Sequence, residues 1–182
     1  MKYPFDPKMA AQLLSEAGFT RGADGIYLHP SMGRFSIGMQ TLDGTQNVQE
    51  MTIQADLWKQ QGIEITQYVV PPAQVQDNQV RSTFPGLSST SSGSIDTFTR
   101  AMTSRPDNRW QGSNRGAWPA TDEYENLITK YNTTLDRPTR YGALAQASKI
   151  ITEDVANVLL LYNPQVIAFR SNLTGVKARS EE

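Results

Sequence analysis

Cysteine is absent from all 182 residues, which excludes disulfides, zinc–thiolate sites and cysteine nucleophiles. Histidine occurs once, at His29, ahead of Pro30 in a turn-rich stretch. Nothing beside it forms a triad or a ligand cluster, so it is assigned a surface or packing role. Charge of one sign is missing too: 17 Lys and Arg stand against 18 Asp and Glu, a net −1. No basic face remains to neutralise phosphates, which argues against a nucleic-acid partner. No apolar run reaches the roughly 20 residues that span a bilayer. The N-terminus lacks the apolar core of an export signal. There is neither a P-loop nor a dinucleotide fingerprint after a strand.

What is present is a globular composition. Hydrophobic residues make up 38% and charged residues 19%, enough for one domain of ordinary size with a core. The stretch YPFDPKMAAQLLSEAGF, from Tyr3 to Phe19, is a fully punctuated helix. Asp6 is an N-cap, Pro7 occupies the first helical position, and Gly18 takes the left-handed stop. Met9, Ala10, Leu13, Leu14 and Ala17 share one helical face.

A short strand is expected near Gly25 to Leu28, and an alternating one from Phe35 to Thr41. Asn47 is expected to cap a helix carrying Val48, Met51, Ala55 and Trp58, with Gly62 as its stop. A β-branched strand, Ile63 to Val70, then ends at Pro71 and Pro72. This order predicts a crossover α/β unit. Another short helix is expected within Pro72 to Ser82.

The segment FPGLSSTSSGSIDTF has little apolar surface to bury and reads as a linker or as a loop presenting hydroxyls and amides. Residues 95–104 are expected to be helical. A polar loop then carries Trp110, Asn114, Arg115 and Trp118; its tryptophans either stack on a ligand or cover the core. Helices follow at Asp122 to Tyr131 and Arg137 to Asp154, then two apolar strands broken at Asn163-Pro164. The acids Glu123, Glu125, Glu153 and Asp154 are expected on solvated helix faces.

Tyr3, Asp6-Pro7, Ala10, Leu13-Leu14 and Glu16-Ala17-Gly18-Phe19 together resemble an opening signature of family 5 extracytoplasmic solute-binding proteins of ABC transporters, the dipeptide-, oligopeptide- and nickel-binding type. The likeness continues in order through IQADLWKQQGIEITQYVV, GSNRGAWPATDEYENLITK and LDRPTRYGALAQASKIITEDVANVLLLYNPQVIAF, closing on Leu173 to Val176. The resemblance implies an α/β fold: part of the C-terminal lobe of a type II periplasmic-binding-protein-like clamshell, with a mixed sheet flanked by helices. Residues 1–182 would form a single domain, with the signal peptide, the N-terminal lobe and the start of this lobe upstream of Met1.

The implied function is binding without catalysis: a substrate-binding component of an importer captures a polar solute between two lobes and delivers it to membrane permease subunits. The expected location is periplasmic or otherwise extracytoplasmic, the expected state a monomer, and no cofactor or metal is implied. Ser88, Ser89, Thr90 and Ser91, with Asn114, are the expected lining residues. Arg115 suits an anionic group, and Trp110 and Trp118 are stacking surfaces. In peptide-binding members the cleft loop carries an aromatic and an aspartate. Aligning Gly93, Asp96 and Phe98 with that pattern puts Ser88 and Ser91 in their places. Loss of the counter-charge disfavours a free peptide N-terminus and suits sugars, modified oligosaccharides or a peptide gripped differently. Two other readings stay open: a stand-alone protein-interaction domain, and a hydrolase using paired carboxylates.

Overall fold

A computed structural model describes residues 3–89, 104–112, 118, 120–158, 160, 168–170, 172–173 and 175. The helix expected at 95–104 and the two closing apolar strands fall mostly outside these residues. Helix α1 (Pro7–Glu16) starts and stops where its sequence dictates. The Asp6 carboxylate accepts from the backbone N–H groups of Lys8 and Met9, each at 3.0 Å. At the other end the Gly18 and Phe19 N–H groups donate to Ser15 O and Leu14 O, at 3.0 and 2.9 Å. Both ends are thus satisfied. The apolar face behaves differently: no residue of α1 is buried, and Met9 and Leu13 are 51% and 56% exposed. Its caps, not burial, define this helix.

A small antiparallel sheet follows, ordered β1 (Thr20–Arg21), β2 (Tyr27–His29), β3 (Gly33–Arg34). His29 packs against the Phe19 ring at 5.1 Å between centroids, and its Nδ1 accepts from the Ser31 N–H at 3.2 Å. That is the packing role expected of it.

The crossover unit is β4 (Ser36–Leu42), α2 (Thr45–Gln60) and β5 (Glu64–Val70). The strands pair in parallel, from Ser36 opposite Glu64 to Leu42 opposite Val70. Met51 and Ala55 are the buried contacts of α2. The helix begins before the expected cap, with Gly44 at the N-cap position; Asn47 lies inside the first turn and donates its amide to Leu42 O at 3.3 Å. Asn47 therefore ties the helix to the strand end instead of capping it. Gly62 ends α2 at φ +89°, and a Cβ there would stand 2.7 Å from the Tyr27 ring. Only glycine fits that stop.

After a 3₁₀ turn (Pro72–Gln74) comes helix α3 (Asn78–Thr83), then strand β6 (Gly86–Ser88) on the other edge of β4. The parallel sheet runs β5-β4-β6. This corrects the sequence reading, which placed residues 86–88 in the serine-rich loop. A three-residue strand with one apolar side chain has no period to read; its pairing with β4 creates it. Gly86 lies so near β4 that a Cβ there would stand 2.2 Å from Gly38 O. Among the described residues, the strands form two small sheets, one antiparallel and one parallel.

Helices α4 (Asp122–Thr133) and α5 (Arg137–Glu153) form a hairpin. Thr121 and Asp136 cap them, accepting from the N–H groups of Tyr124 and Thr139 at 3.2 and 3.0 Å. Tyr124, Ile128, Ala147 and Ile151 form a dry core at 0–3% exposure. Glu125 departs from the solvated face expected of it: its carboxylate, 15% exposed, pairs with Arg105 at 3.2 Å.

Candidate functional site at the strand ends

The parallel strands β4, β5 and β6 all end at one rim. In open α/β sheets ligands collect outside the carboxyl ends of the strands, where crossovers leave a crevice. Here Gln40, Thr41 and Leu42 close β4, Val70 closes β5, and Ser88 closes β6. With Arg81 of α3 and Ser89 they line a cavity of about 10 Å³.

Ser89 is the anchor of this rim. Its N–H donates to Gln40 O at 2.8 Å, and its carbonyl accepts from the Thr41 hydroxyl at 3.0 Å. Its own hydroxyl accepts from the Gln54 amide of α2, also at 3.0 Å. The serine thus continues the sheet one residue past β6 and ties it to the crossover helix. Gln40 is 2% and Thr41 3% exposed, an unusual depth for polar side chains. The Gln40 amide donates to Arg81 O at 3.0 Å, while Arg81 Nη1 donates to Val75 O at 3.2 Å. Gln40 Oε1 and Arg81 Nε are buried without a partner in the described structure. Burial pulls the Arg81 guanidinium below its ordinary value.

Of the residues expected to line a site, Ser88 and Ser89 come together here. Thr90, Ser91, Asn114 and Arg115 lie outside the described residues. Trp118 packs edge-on against Tyr124, with centroids 5.2 Å apart, as a partly buried flank of the hairpin core. Trp110 is half-buried beside a 3₁₀ turn (Pro106–Asn108), in the left-handed region at φ +58°, and its carbonyl accepts from the Ser104 hydroxyl at 3.4 Å. Gln40, Thr41, Gln54 and Arg81 were not anticipated. Their one signal was the change from Ile37 and Met39 to Gln40-Thr41 at the end of an apolar strand.

A charge cluster sits at the opposite end of the sheet. Arg34 pairs with Asp24 at 2.5 Å and with Glu64, the first residue of β5, at 2.8 Å. Arg34 holds both carboxyls below the usual carboxylate range. Across a seven-residue strand this lies roughly 20 Å from the rim.

No protein-family model and no curated relative matches the chain. Solved structures do. NikZ from Campylobacter jejuni, in complex with Ni(L-His), superposes with TM-score 0.67 at 18% identity, over 85% of this chain and 31% of its own. An oligopeptide-binding protein from Thermus thermophilus, complexed with a pentapeptide, gives 0.65 at 26% identity, over 86% and 29%. A periplasmic oligopeptide-binding protein from Thermotoga maritima, bound to mannohexaose, gives 0.64 at 21% identity, over 85% and 30%. The fold is that of the family 5 solute-binding proteins. This chain spans between 29% and 31% of the length of these structures. Among the described residues no helix is long and apolar enough to cross a membrane.

Proposed function

We propose that the chain is part of the C-terminal lobe of the substrate-binding component of an ABC importer. It captures a polar solute, oligopeptide-like or sugar-like, in a two-lobe cleft outside the cytoplasmic membrane. It then presents that solute to the permease subunits. The protein acts as a monomer and catalyses nothing.

The observation that carries this reading is the polar rim at the ends of three parallel strands, in a fold shared with proteins solved around a nickel–histidine complex, a peptide and an oligosaccharide. Ser88 and Ser89 belong to that rim, and Thr90, Ser91, Asn114 and Arg115 are proposed to extend it. A lobe that closes on its ligand gains affinity from enclosure and convergent polar groups, with no bond broken.

The test is a thermal-shift titration of the natural protein that carries this chain, against a pentapeptide, mannohexaose and a nickel–histidine complex. One class should raise the melting temperature in a concentration-dependent way, because a ligand at about 100 times its Kd adds roughly 2.7 kcal/mol of stability. No shift from any class would overturn the reading.

A further inference from the structure

Building on the reading of this chain as part of a longer lobe, we propose that the apolar face of α1 is an internal interface, covered in the natural protein by apolar surface from the same polypeptide outside these 182 residues. Met9 and Leu13 stand one turn apart on that face, 51% and 56% exposed, and no residue of the helix is buried. Phe5, just before the Asp6 cap, is 89% exposed. The Tyr3 hydroxyl donates to Glu153 O at 3.2 Å. That bond brings the entry to α1 beside the end of α5, where Val155 is 50% exposed. At 10 residues, α1 is shorter than the roughly 12–15 at which an isolated helix begins to hold in water. Such a helix takes its stability from packing an apolar stripe, so α1 needs a partner across Met9 and Leu13.

Three occupants compete for this face. An anionic membrane surface would call for a rim of cations, yet Lys8 is the only cation on α1. A second copy would have to be captured from solution, at the cost of its translational and rotational freedom. Polypeptide continuous with this chain escapes that cost, because the tether holds it at high effective concentration and in one-to-one ratio. In solved structures of the same fold, the region matched by this chain is only 29–31% of the whole. The greater part of such a polypeptide is therefore left to supply the cover.

The experiment is peroxide oxidation of the unaltered natural protein, followed methionine by methionine through peptide mass. Conversion of a thioether to its sulfoxide follows exposure. Met32, 65% exposed, sets the fast rate, while Met39 and Met51, at 2% and 1%, set the slow one. The inference expects Met9 to oxidise with the slow pair, at least about 10-fold behind Met32. A Met9 rate equal to that of Met32 would overturn it. Protection of Met9 that disappears on dilution would also overturn it, by assigning the face to a second copy. Leu13→Lys gives an independent reading: it should lower the melting temperature of the natural protein, whereas Ser15→Lys, on the opposite side of the helix, should not. A melting temperature unchanged by Leu13→Lys would contradict a covered face. Fast oxidation of Met9 in a protein that a pentapeptide, mannohexaose or a nickel–histidine complex still stabilises would remove the inference and leave the importer reading. Slow oxidation of Met9 in a protein that none of them stabilises would do the reverse.

Discussion

The crossover unit and the helical hairpin solve the same problem with opposite materials. In the hairpin, Tyr124, Ile128, Ala147 and Ile151 exclude water with apolar surface contributed by neighbouring helices. In the crossover unit the sheet buries Gln40 and Thr41 alongside Met39 and Val70, and closes around them with hydrogen bonds to and from Ser89 and to Arg81. A buried polar group adds little net stability when satisfied and costs much when not. The hairpin core is held by apolar burial. The strand ends hold polar groups in fixed positions at some cost, which is what a binding rim requires.

The largest expected effect breaks the hairpin. Ile128→Ala deletes a side chain with 0% exposure and should cost about 3 kcal/mol by denaturant unfolding, since the cavity adds to the lost transfer energy. Next is Gly86→Ala, which drives a Cβ to 2.2 Å from Gly38 O. It should cost about 2 kcal/mol and raise amide exchange along residues 38–42 and 86–89 while leaving 122–153 protected. Equal loss of protection in the hairpin would show the two regions to be one cooperative unit. Smaller again is Thr41→Val, which removes the hydroxyl that donates to the Ser89 carbonyl. About 1 kcal/mol is expected, with a greater proportional effect on solute affinity than Ile128→Ala.

Titration sharpens the contrast from both sides. Arg34 holds the Asp24 and Glu64 carboxyls low in the folded chain. Their contribution is complete above the ordinary carboxylate range, about pH 4, and fades as pH falls through the lower folded values. Arg34→Gln should flatten this acid limb of the stability–pH curve. In the hairpin, burial pushes the Tyr124 phenol up to about 12. Above about pH 10 the unfolded chain ionises this group before the folded one does, so stability falls there, and Tyr124→Phe should remove that dependence.

How far the sequence disclosed this depends on where the specifying information sits. Local signals were legible: Asp6, Pro7 and Gly18 bounded α1, and Gly62 ended α2. The alternation of Phe35, Ile37 and Met39 marked β4, and the spacing of Val48, Met51 and Ala55 marked α2. Signals that need a distant partner were not. Residues 86–88 become a strand because Gly86, with no Cβ, can approach the Gly38 backbone of β4, which no local pattern encodes. Asn47 serves the end of β4 instead of capping, because Gly44 already occupies the N-cap position. At the site, the serine-rich composition pointed to Ser88 and Ser89, while Gln40 and Arg81 looked like ordinary polar residues until tertiary packing buried them. The tryptophan loop was ambiguous for the same reason, and Trp118 proves to cover the hairpin core.

Hydrogen exchange on the natural protein, with and without whichever probe raises its melting temperature, tests the strand-end site most directly. Bound solute should slow exchange at residues 40–42 and 86–89, with 122–153 unchanged. Slowing confined to the hairpin, with the strand ends unaffected, would contradict a binding rim at the ends of the parallel strands.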